Sequence, residues 1–330
     1  MLENFKLDVK DLKILTELDK NSRQSNSQIG KKAGLSKEVV KYRIDKLIEH
    51  GIIIRFHTVI NYFKLGIVKF KLYLRLTNIN SQKLDEICKY FYKHEKTEWV
   101  AVTTGKWDLI VGFLVKNANE FDDEVQEALN QFAEYIEEKA ISTTMYLAHH
   151  TRDFLNKSNK NSSKVVYHTI NDSQEKIDLK DEELLKIIAN NARMPVTEIA
   201  KRLRTTPRVV QYKLRDLERR KIILAYKSHL DPKKMDRIFC KLIIYLRSLT
   251  KDRLNSFIDN VSSLPGAIWP QKVIGAWDFE LDFELENYDK FQEVILNIKE
   301  KFSDIIKDHD FCIVSKEYKL DLFAGAHSRY

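Results

Sequence analysis

Basic and aromatic side chains recur at helical spacing within residues 35–51. Lys37, Lys41 and Tyr42 would point away from the core side of such a helix. The apolar residues recur at i, i+4 and i+7, which places one stripe against a core: Val40, Ile44 and Leu47. Ammonium groups bind phosphate oxygens, and ammonium and phenol groups also hydrogen-bond to base edges. These residue types therefore predict a helix that contacts a nucleic acid.

The same plan recurs at residues 205–221, which lie 170 positions later in the chain. Arg208, Gln211 and Tyr212 take the exposed positions of this second stretch. Ser36 and Thr206 immediately precede the two helices, and both are residue types favoured as N-caps because their oxygens accept backbone N–H groups. The same chemistry is therefore expected twice, with different side chains at the surface.

The repeat runs without gaps at this offset of 170 through most of each half. All four tryptophans fall into matched pairs, Trp99 with Trp269 and Trp107 with Trp277. Chance does not keep register over such a length, so the chain is interpreted as a tandem duplication.

The first part of each half has the signals of three short helices. Ser25 and Gln28 have the spacing of a capping box, and Gly34 and Gly51 are suited to end the second and third helices. This pattern predicts a helix-turn-helix. The run 52–60, rich in Ile, Val and Phe, then predicts an extended segment that forms a small wing or a connecting strand.

Beyond Gly66 the hydrophobic period changes to that of alternating strands and amphipathic helices. The predicted order is strand, helix, strand, strand, helix, strand, which is the ferredoxin-like arrangement. In the second half the acidic residues Glu280, Asp282, Glu284 and Glu286 alternate with apolar ones, which predicts a half-exposed strand.

The predicted fold class is α+β, with two tandem copies of a winged helix-turn-helix followed by a ferredoxin-like βαββαβ domain. The predicted boundaries are 1–60 and 61–150 for the first pair of domains, 151–176 for a polar linker, and 177–230 and 231–330 for the second pair. Val165, Val166 and Tyr167 within the linker region could add one short strand. A coil of this length spans on the order of 30 Å, enough for the two halves to meet within one chain.

Bulk composition excludes several classes of protein. The 330 residues are 43% hydrophobic and 32% charged, and no run approaches eighteen apolar residues, so a membrane protein is not expected. The N-terminus lacks a charged and then apolar leader, and three cysteines without metal or disulfide spacing fit a reducing compartment. We therefore expect a cytoplasmic protein.

The net charge of +8 is distributed in alternating blocks. Residues 7–55 and 177–225 carry +4 and +5, whereas residues 66–146 and 236–318 carry −3 and −4. This alternation assigns polyanion binding to the two helix-turn-helix segments.

Motifs for catalysis are absent from the sequence. It contains no Gly-rich phosphate loop, Ser-His-Asp set or His-Glu-x-x-His motif, and the pair His149 and His150 has no further ligand at metal spacing. We predict no catalytic residue, no metal site, no cofactor and no enzymatic activity.

With these features the chain resembles the leucine-responsive/asparagine (Lrp/AsnC, or feast/famine) regulators. The similarity rests on short motifs that are most complete in the first half, which has Leu7-Asp8, Asn21-x-Arg23, Leu35-Ser36, Arg43-Ile44, Gly51-Ile52-Ile53, Leu65-Gly66 and Gly105-Lys106-Trp107-Asp108. The resemblance covers nearly the whole chain twice. It implies a transcription regulator whose helix-turn-helix binds double-stranded DNA and whose sheet domain pairs and often senses an amino acid.

The resemblance places the third helix of each half in the major groove. The DNA-binding candidates it implies are Ser36, Lys37, Lys41, Tyr42, Arg43 and Lys46, with Thr206, Arg208, Gln211, Tyr212, Lys213 and Arg215 in the second half. Among them Arg43 lies on the flank, where it would meet phosphate or a neighbouring carboxylate. The implied effector-binding candidates are Gly105, Trp107 and Asp108, with Gly275, Trp277 and Asp278. These turn residues could equally serve packing and turn geometry, since glycine allows positive φ and aspartate bonds to turn amides.

The second half departs from the family pattern where Lys221 replaces Gly51 and Lys213 replaces Arg43. Because the two surfaces differ, a pair formed within the chain is expected to prefer an asymmetric DNA site; pairing between chains into a homo-oligomer is the other arrangement. Two alternative functions remain. A sirohaem decarboxylase-like enzyme would use the same fold, although its expected Pro-Arg-Pro-like stretch is missing here. An architectural DNA-compacting protein would differ only in specificity.

Overall fold

The computed structural model describes residues 5–155, 166–247 and 250–325. They form two compact units, and each unit is built from both halves of the chain. The helical unit comprises Met1–Asn61, His150–Val166 and Ile177–Arg237, and the sheet unit comprises Tyr62–His149, Tyr167–Lys176 and Ile238–Tyr330.

The elements of the two halves follow the same order. The first half contains α1 (Val9–Lys20), α2 (Asn26–Ala33), α3 (Lys37–Glu49), β1 (Ile53–Ile60), β2 (Val68–Leu76), α4 (Ser81–Lys93), β3 (Thr97–Gly105), β4 (Leu109–Val115), α5 (Ala118–Phe132) and β5 (Ile136–His149). A short strand β6 (Val166–Thr169) comes before the second half. The second half contains α6 (Leu179–Ala189), α7 (Val196–Arg202), α8 (Pro207–Arg219), β7 (Ile223–Leu230), β8 (Ile238–Leu246), α9 (Lys251–Val261), β9 (Ala267–Gly275), β10 (Phe279–Leu285), α10 (Tyr288–Lys301) and β11 (Ile306–Leu320). The predicted fold class, a duplicated winged helix-turn-helix with a ferredoxin-like domain, is confirmed.

The predicted helix caps are confirmed. The Ser36 hydroxyl accepts the Val39 N–H at the start of α3, and the Thr206 hydroxyl accepts the Val209 N–H at the start of α8. Gly51 follows α3 with a φ of 72°, and Lys221 keeps a left-handed φ of 57° at the matched place after α8. The second half therefore retains this helix end at the cost of strain that glycine avoids.

The two wings of the helical unit pair with each other. Strands β1 and β7 form an antiparallel two-stranded sheet in which Phe56 faces Ser228 and Thr58 faces Tyr226. The apolar stripes of the first three helices pack with the wing in one core, which also receives Leu155 from the segment between the halves. The helix-turn-helix of each half is thus held to the other by backbone hydrogen bonds.

The sheet unit contains a ring of eight strands. The first half orders its strands β5, β2, β4, β3, and the second half orders them β11, β8, β10, β9. These two ferredoxin-like sheets join at both edges, because β3 pairs with β11 and β5 pairs with β9. Strand β6 lies beside β5 outside the ring. The edge strands that each half alone would leave open are therefore paired.

The expectation of a half-exposed acidic strand is wrong. Strand β10 is buried along its whole length, and Glu280, Asp282 and Glu284 are among the buried charges of the sheet unit. The apolar residues of β10 pack with helices α9 and α10, while Glu280 contacts side chains from the other half. The alternation of acidic and apolar residues predicted that one side of this strand faces water. The pairing of the two sheets covers both of its sides.

Part of the predicted linker 151–176 lies outside the described residues, namely 156–165. Asp153–Leu155 before that gap form a short 3-10 turn, and β6 after it lies where a short strand was predicted. No helix in the described ranges has the length and apolar character needed to span a bilayer.

Candidate nucleic-acid interface and sheet-domain turns

Helix α3 presents its predicted DNA-binding face to solvent. Lys37, Lys41 and Tyr42 are exposed, and the apolar stripe on the opposite side is buried. Helix α8 repeats this pattern residue by residue, with Arg208, Gln211 and Tyr212 exposed. Both helices expose a large aromatic side chain, since Tyr42 is 63% and Tyr212 is 70% exposed.

The lysines of α3 are held by carboxylates of the same helix. Lys41 lies 2.6 Å from Asp45, and Lys46 lies 2.9 Å from Glu49. Lys37 lies 3.6 Å from the adjacent Glu38 carboxylate. The exposed face of α3 therefore neutralises much of its own positive charge.

Helix α8 lacks these carboxylates. The positions that hold Glu38, Asp45 and Glu49 in the first half hold Arg208, Arg215 and Arg219 in the second. Arg219 pairs with Asp216 at 2.5 Å, whereas no ion pair within the described ranges involves Arg208 or Arg215. Three reversals of charge favour α8, but Pro207, Gln211 and Asp216 stand where α3 has Lys37, Lys41 and Lys46. The two helices therefore differ mainly in where their charges lie, and little in net charge.

Arg43 and Lys213 brace their own domains. Arg43 donates to Asp8 and Asp11 at the start of α1, each at 2.8 Å. Lys213 does the same with Asp178 and Asp181 at the start of α6. The hydrogen bond to Asp11 is the main cause that raises the pKa of Arg43. Of the two roles expected for Arg43, the structure shows the contact with neighbouring carboxylates.

Two arginines that were not among the predicted site residues, Arg23 and its repeat match Arg193, join the helix-turn-helices. Arg23 donates to the carbonyl of Ala192, and Arg193 donates to the carbonyl of Ser22. Arg23 also lies over the Tyr226 ring and Arg193 over the Phe56 ring. Burial lowers the pKa of both guanidinium groups. The feature of the sequence that could have indicated this contact is that Arg23 and Arg193 occupy matched positions of the repeat.

The paired wings bury two histidines. The rings of His57 on β1 and His229 on β7 lie 6.3 Å apart, and both are almost fully buried. Burial, together with the charges of Arg152 and Arg55, lowers the pKa of His57 to about 3. Burial likewise lowers the pKa of His229 well below its usual value. Both imidazoles are therefore neutral at physiological pH.

The glycines of the two Gly-x-Trp-Asp turns allow the halves to approach closely. Gly105 has a φ of 127°, and a Cβ there would lie 2.4 Å from the Phe311 carbonyl oxygen. Gly275 has a φ of 144°, and its Cβ would lie 2.2 Å from the Ile141 carbonyl oxygen. Each glycine thus sits where a strand of the other half passes.

The aspartates and tryptophans of these turns are engaged inside the sheet unit. Asp108 accepts the Leu76 N–H at 2.8 Å, and Asp278 accepts the Leu246 N–H at 2.7 Å. Trp107 and Trp277 are buried with their ring centroids 6.1 Å apart, and Tyr73 packs 4.6 Å from Trp277. The two turns come together through their indoles rather than forming separate surface sites.

Beside these rings lies a buried ion network that sequence reasoning missed. Lys71 contacts the Glu280 carboxylate and lies 2.6 Å from the Gln271 amide oxygen. Lys241 lies 2.7 Å from Asp282 and 3.2 Å from Glu280. Glu280 also accepts from Ser142 and from the Trp277 indole, and the lysines lower its pKa against the opposing effect of burial. The feature of the sequence that could have indicated this network is the pair of lysines at matched positions 71 and 241.

Metal-binding groups do not converge within the described ranges. No cluster of three or more His, Cys, Asp or Glu side chains there is arranged to hold a metal ion. His149 lies beside the ring of His168 at 5.5 Å, and the three cysteines are buried thiols. Burial raises the pKa of Cys88 and Cys240 to about 12, which makes them poor nucleophiles.

Comparison with known proteins supports a DNA-binding assignment. The winged helix-turn-helix DNA-binding family matches residues 7–54 and 177–223. An uncharacterized HTH-type transcriptional regulator of Pyrococcus furiosus is 33% identical over 127 residues, which are 38% of this chain and 84% of that protein. An HTH-type transcriptional regulator of Methanocaldococcus jannaschii is 33% identical over 119 residues, which are 34% of this chain and 74% of that protein.

Two solved structures are similar to this chain, and the first shares its fold over most of its length. The siroheme decarboxylase NirDL is 13% identical with a TM-score of 0.62, and the match covers 94% of this chain and 93% of that one. An AsnC family transcriptional regulator from Agrobacterium tumefaciens is 18% identical with a TM-score of 0.40, over 44% of this chain and 94% of that one.

Proposed function

This chain is a member of the Lrp/AsnC family of helix-turn-helix transcriptional regulators, and we propose that it recognises one asymmetric DNA site through two unlike recognition helices. The observation that carries the proposal is the difference between the exposed faces of α3 and α8. Glu38 and Asp45 on α3 stand where Arg208 and Arg215 stand on α8. Two identical half-sites would not suit both faces.

The electrostatic contribution of α8 comes mainly from Arg208 and Arg215, for which the described residues show no ion pair. Arg208 and Arg215 project into solvent from the N-terminal and middle turns, where a recognition helix meets phosphates and base edges. A guanidinium can donate two hydrogen bonds to guanine or clamp a phosphate. Gln211 and Tyr212 between them add polar donors for adenine edges and stacking or phosphate contacts.

Helix α3 contributes more selectively. Lys41 must exchange Asp45 for DNA, and Asp45 and Glu38 are themselves repelled by the phosphate backbone. Carboxylates near a groove favour cytosine N4 donors and disfavour other bases. The proposed DNA-contacting set is Ser36, Lys37, Lys41, Tyr42 and Lys46 on the first side and Thr206, Arg208, Gln211, Tyr212 and Arg215 on the second. Arg43 and Lys213 act by holding the recognition helix against α1 or α6.

A single chain supplies both binding domains as an intramolecular pseudo-dimer. This part of the proposal is supported by the pairing of β1 with β7 and by the reciprocal contacts of Arg23 and Arg193. Because the two domains belong to one duplicated chain, their sequences can diverge from each other. An asymmetric pair can then face an asymmetric site.

The residues that the family resemblance implied for effector binding have contacts that favour a packing role instead. Trp107 and Trp277 are buried against each other, and Asp108 and Asp278 are satisfied by strand amides. Thermal-shift titration with each standard amino acid tests this. An amino acid that raises the melting temperature, with the effect lost in Trp107→Phe, would instead support an effector site at these turns.

Selection from random duplex DNA, followed by footprinting and binding titrations at two salt concentrations, tests the main proposal. We expect salt-sensitive binding to a site without inverted-repeat symmetry. A perfect inverted repeat as the preferred ligand contradicts the asymmetric mode. Failure to bind any promoter DNA, its own included, at micromolar protein contradicts DNA regulation altogether. The ratio of specific to competitor binding separates a regulator from an architectural DNA-compacting protein.

A second candidate is suggested by the structural similarity to siroheme decarboxylase NirDL over most of both chains. At 13% identity this similarity concerns the fold. Absorption titration with an iron tetrapyrrole tests the candidate: a shifted Soret band, together with the absence of DNA binding, would favour the enzyme over the regulator.

A further inference from the structure

The inner faces of the sheet unit bury two lysines and two carboxylates in one network. Lys71 and Lys241 are each about 1% exposed at the side chain, and Glu280 and Asp282 are likewise buried. Gln271 connects the two sides, because its oxygen accepts from Lys71 and its amide donates to Asp282 at 3.1 Å. Every charge in this network therefore has a partner of opposite sign.

The two halves contribute unequally to the network. The lysines occupy matched positions of the repeat, since residue 71 plus the offset of 170 is residue 241. The carboxylates do not, because Ile110 matches Glu280 and Gly112 matches Asp282. Within this network the first half therefore contributes one positive charge, whereas the second half contributes one positive and two negative charges. The first half also buries Lys69 and Glu98, but these pair with each other at 2.6 Å and add no net charge.

This inequality gives each pairing a different buried charge. A first-half sheet with a second-half sheet gives this network two lysines and two carboxylates, so that the network has no net charge. Two first-half sheets would bury two lysines without these carboxylates, and two second-half sheets would bury two lysines with four carboxylates. A buried charge without a partner is strongly unfavourable, since solvation is lost and no ion pair replaces it.

We propose that this network selects the pairing partner, so that a first-half sheet accepts only a second-half sheet and like halves do not pair. The proposal deepens the pseudo-dimer part of the proposed function and rests on it. Charges buried at one interface often set partner choice more than stability, because they penalise the alternatives. Here the penalty prevents copies of the chain from joining through like halves at a site built for unlike ones.

The strand register supplies a direct reporter. Thr104 on β3 faces Ile313 on β11, and Thr143 on β5 faces Ile274 on β9. In the full chain, Thr104→Cys with Ile313→Cys would form a disulfide when unlike halves pair. Thr143 is the repeat match of Ile313, so Thr104→Cys with Thr143→Cys would cross-link two chains only when first halves pair with each other.

Each cysteine pair is introduced into three full-length proteins: the native sequence, the double variant Ile110→Glu with Glu280→Ile, and the single variant Ile110→Glu. The double variant moves one carboxylate to the first half, which leaves every pairing with two lysines and two carboxylates. It keeps the native pairing neutral while removing the discrimination. Ile110→Glu alone gives paired first halves a neutral network and the native pairing an extra carboxylate.

Each protein is refolded from denaturant at high concentration, oxidised and analysed on non-reducing gels, with circular dichroism to confirm folding. We expect the native sequence to give the unlike cross-link and little first-half dimer, and the double variant to increase that dimer at least about tenfold. Equal dimer yields in the native sequence and the double variant would overturn the proposal. Should the double variant not fold, the same comparison with Ile110→Glu decides it. DNA binding of the native protein is measured separately, so its absence would refute the regulator without altering the cross-linking result.

Discussion

Arg23 and Arg193 hold the two helix-turn-helices together by the same contact made in both directions. Each guanidinium donates to a backbone carbonyl beside the other arginine and lies over an aromatic ring of the other half. Arg193 makes additional bonds to the Gln24 carbonyl at 2.9 Å and the Asn26 side chain at 2.7 Å. Such reciprocity is the signature of a two-fold interface, here formed within one chain.

Replacing Arg193 with Ala should loosen this interface more than replacing Arg23. Each charge-assisted hydrogen bond that is lost costs about 1.5–3 kcal/mol, and Arg193 makes more of them. The measurement is the free energy of unfolding, combined with DNA binding to sites of altered half-site spacing. We expect Arg193→Ala to tolerate changed spacing better than the native protein. Equal behaviour of both variants would show that the extra contacts of Arg193 contribute little.

Exchanging charges between the recognition helices should redistribute DNA affinity. Arg208→Glu with Arg215→Asp gives α8 the residues found at the matched positions of α3, and should weaken binding and lower the salt dependence by about two counterions. The matched control, Glu38→Arg with Asp45→Arg, should strengthen binding and raise the salt dependence. Fluorescence anisotropy at several salt concentrations measures both. Unchanged affinity in both variants would place the DNA face elsewhere.

Arg43→Ala should destabilise the helix-turn-helix by about 1 kcal/mol, because a partly exposed ion pair is screened by solvent. It leaves Asp8 and Asp11 without their guanidinium partner. Arg43→Lys is the natural control, since Lys213 performs the same task in the second half. Chemical denaturation measures the stability of each variant. DNA binding is then measured under conditions in which the variant is fully folded, so that a loss of affinity is not a loss of folding. A variant that stays fully stable but loses binding would assign Arg43 to DNA instead.

Lys221→Gly should stabilise the second helix-turn-helix by about 0.5–1 kcal/mol, because a left-handed backbone is strained for a residue with a side chain. Lys221 has a φ of 57°, close to the φ of 72° at Gly51. Gly51→Lys should have the opposite effect in the first half. Melting temperatures of the two variants test this directly. Lys221→Gly also removes a positive charge, so it should bind DNA slightly more weakly than the native protein. This difference in affinity should disappear at higher salt.

Acid should destabilise the paired wings. His57 is neutral when folded, with its pKa lowered to about 3 by burial and by neighbouring Arg152, Arg55 and Lys227. In the unfolded chain it binds a proton below about pH 6.5, so stability is complete above that pH and is lost progressively as pH falls toward 3. His229 acts in the same direction. Each histidine should remove about 2 kcal/mol between pH 7 and pH 5.

Denaturant titrations at pH 7, 6 and 5 and constant ionic strength measure this dependence. The double variant His57→Asn with His229→Asn removes both titrating groups and should flatten the response. If its stability falls as steeply as that of the native protein, other groups govern acid unfolding.

Local features were open to prediction from the sequence. Ser36 and Thr206 cap their helices because capping depends on a side chain and an amide three residues away. The buried stripe of α3 and its match in α8 follow from helical periodicity for the same reason. The duplication was visible in the matched tryptophans, and it implied that both halves have the same fold.

Only the tertiary structure decided which faces meet. Glu280 has the spacing of a water-facing strand residue, yet it is buried because the sheet of the other half covers it. Trp107 and Trp277 stand 170 residues apart in sequence, and their contact depends on how the two sheets join. Periodicity reports that a side of an element is polar or apolar. It does not report what covers that side, because long-range pairing is set by the complementarity of surfaces that come together only in the folded chain.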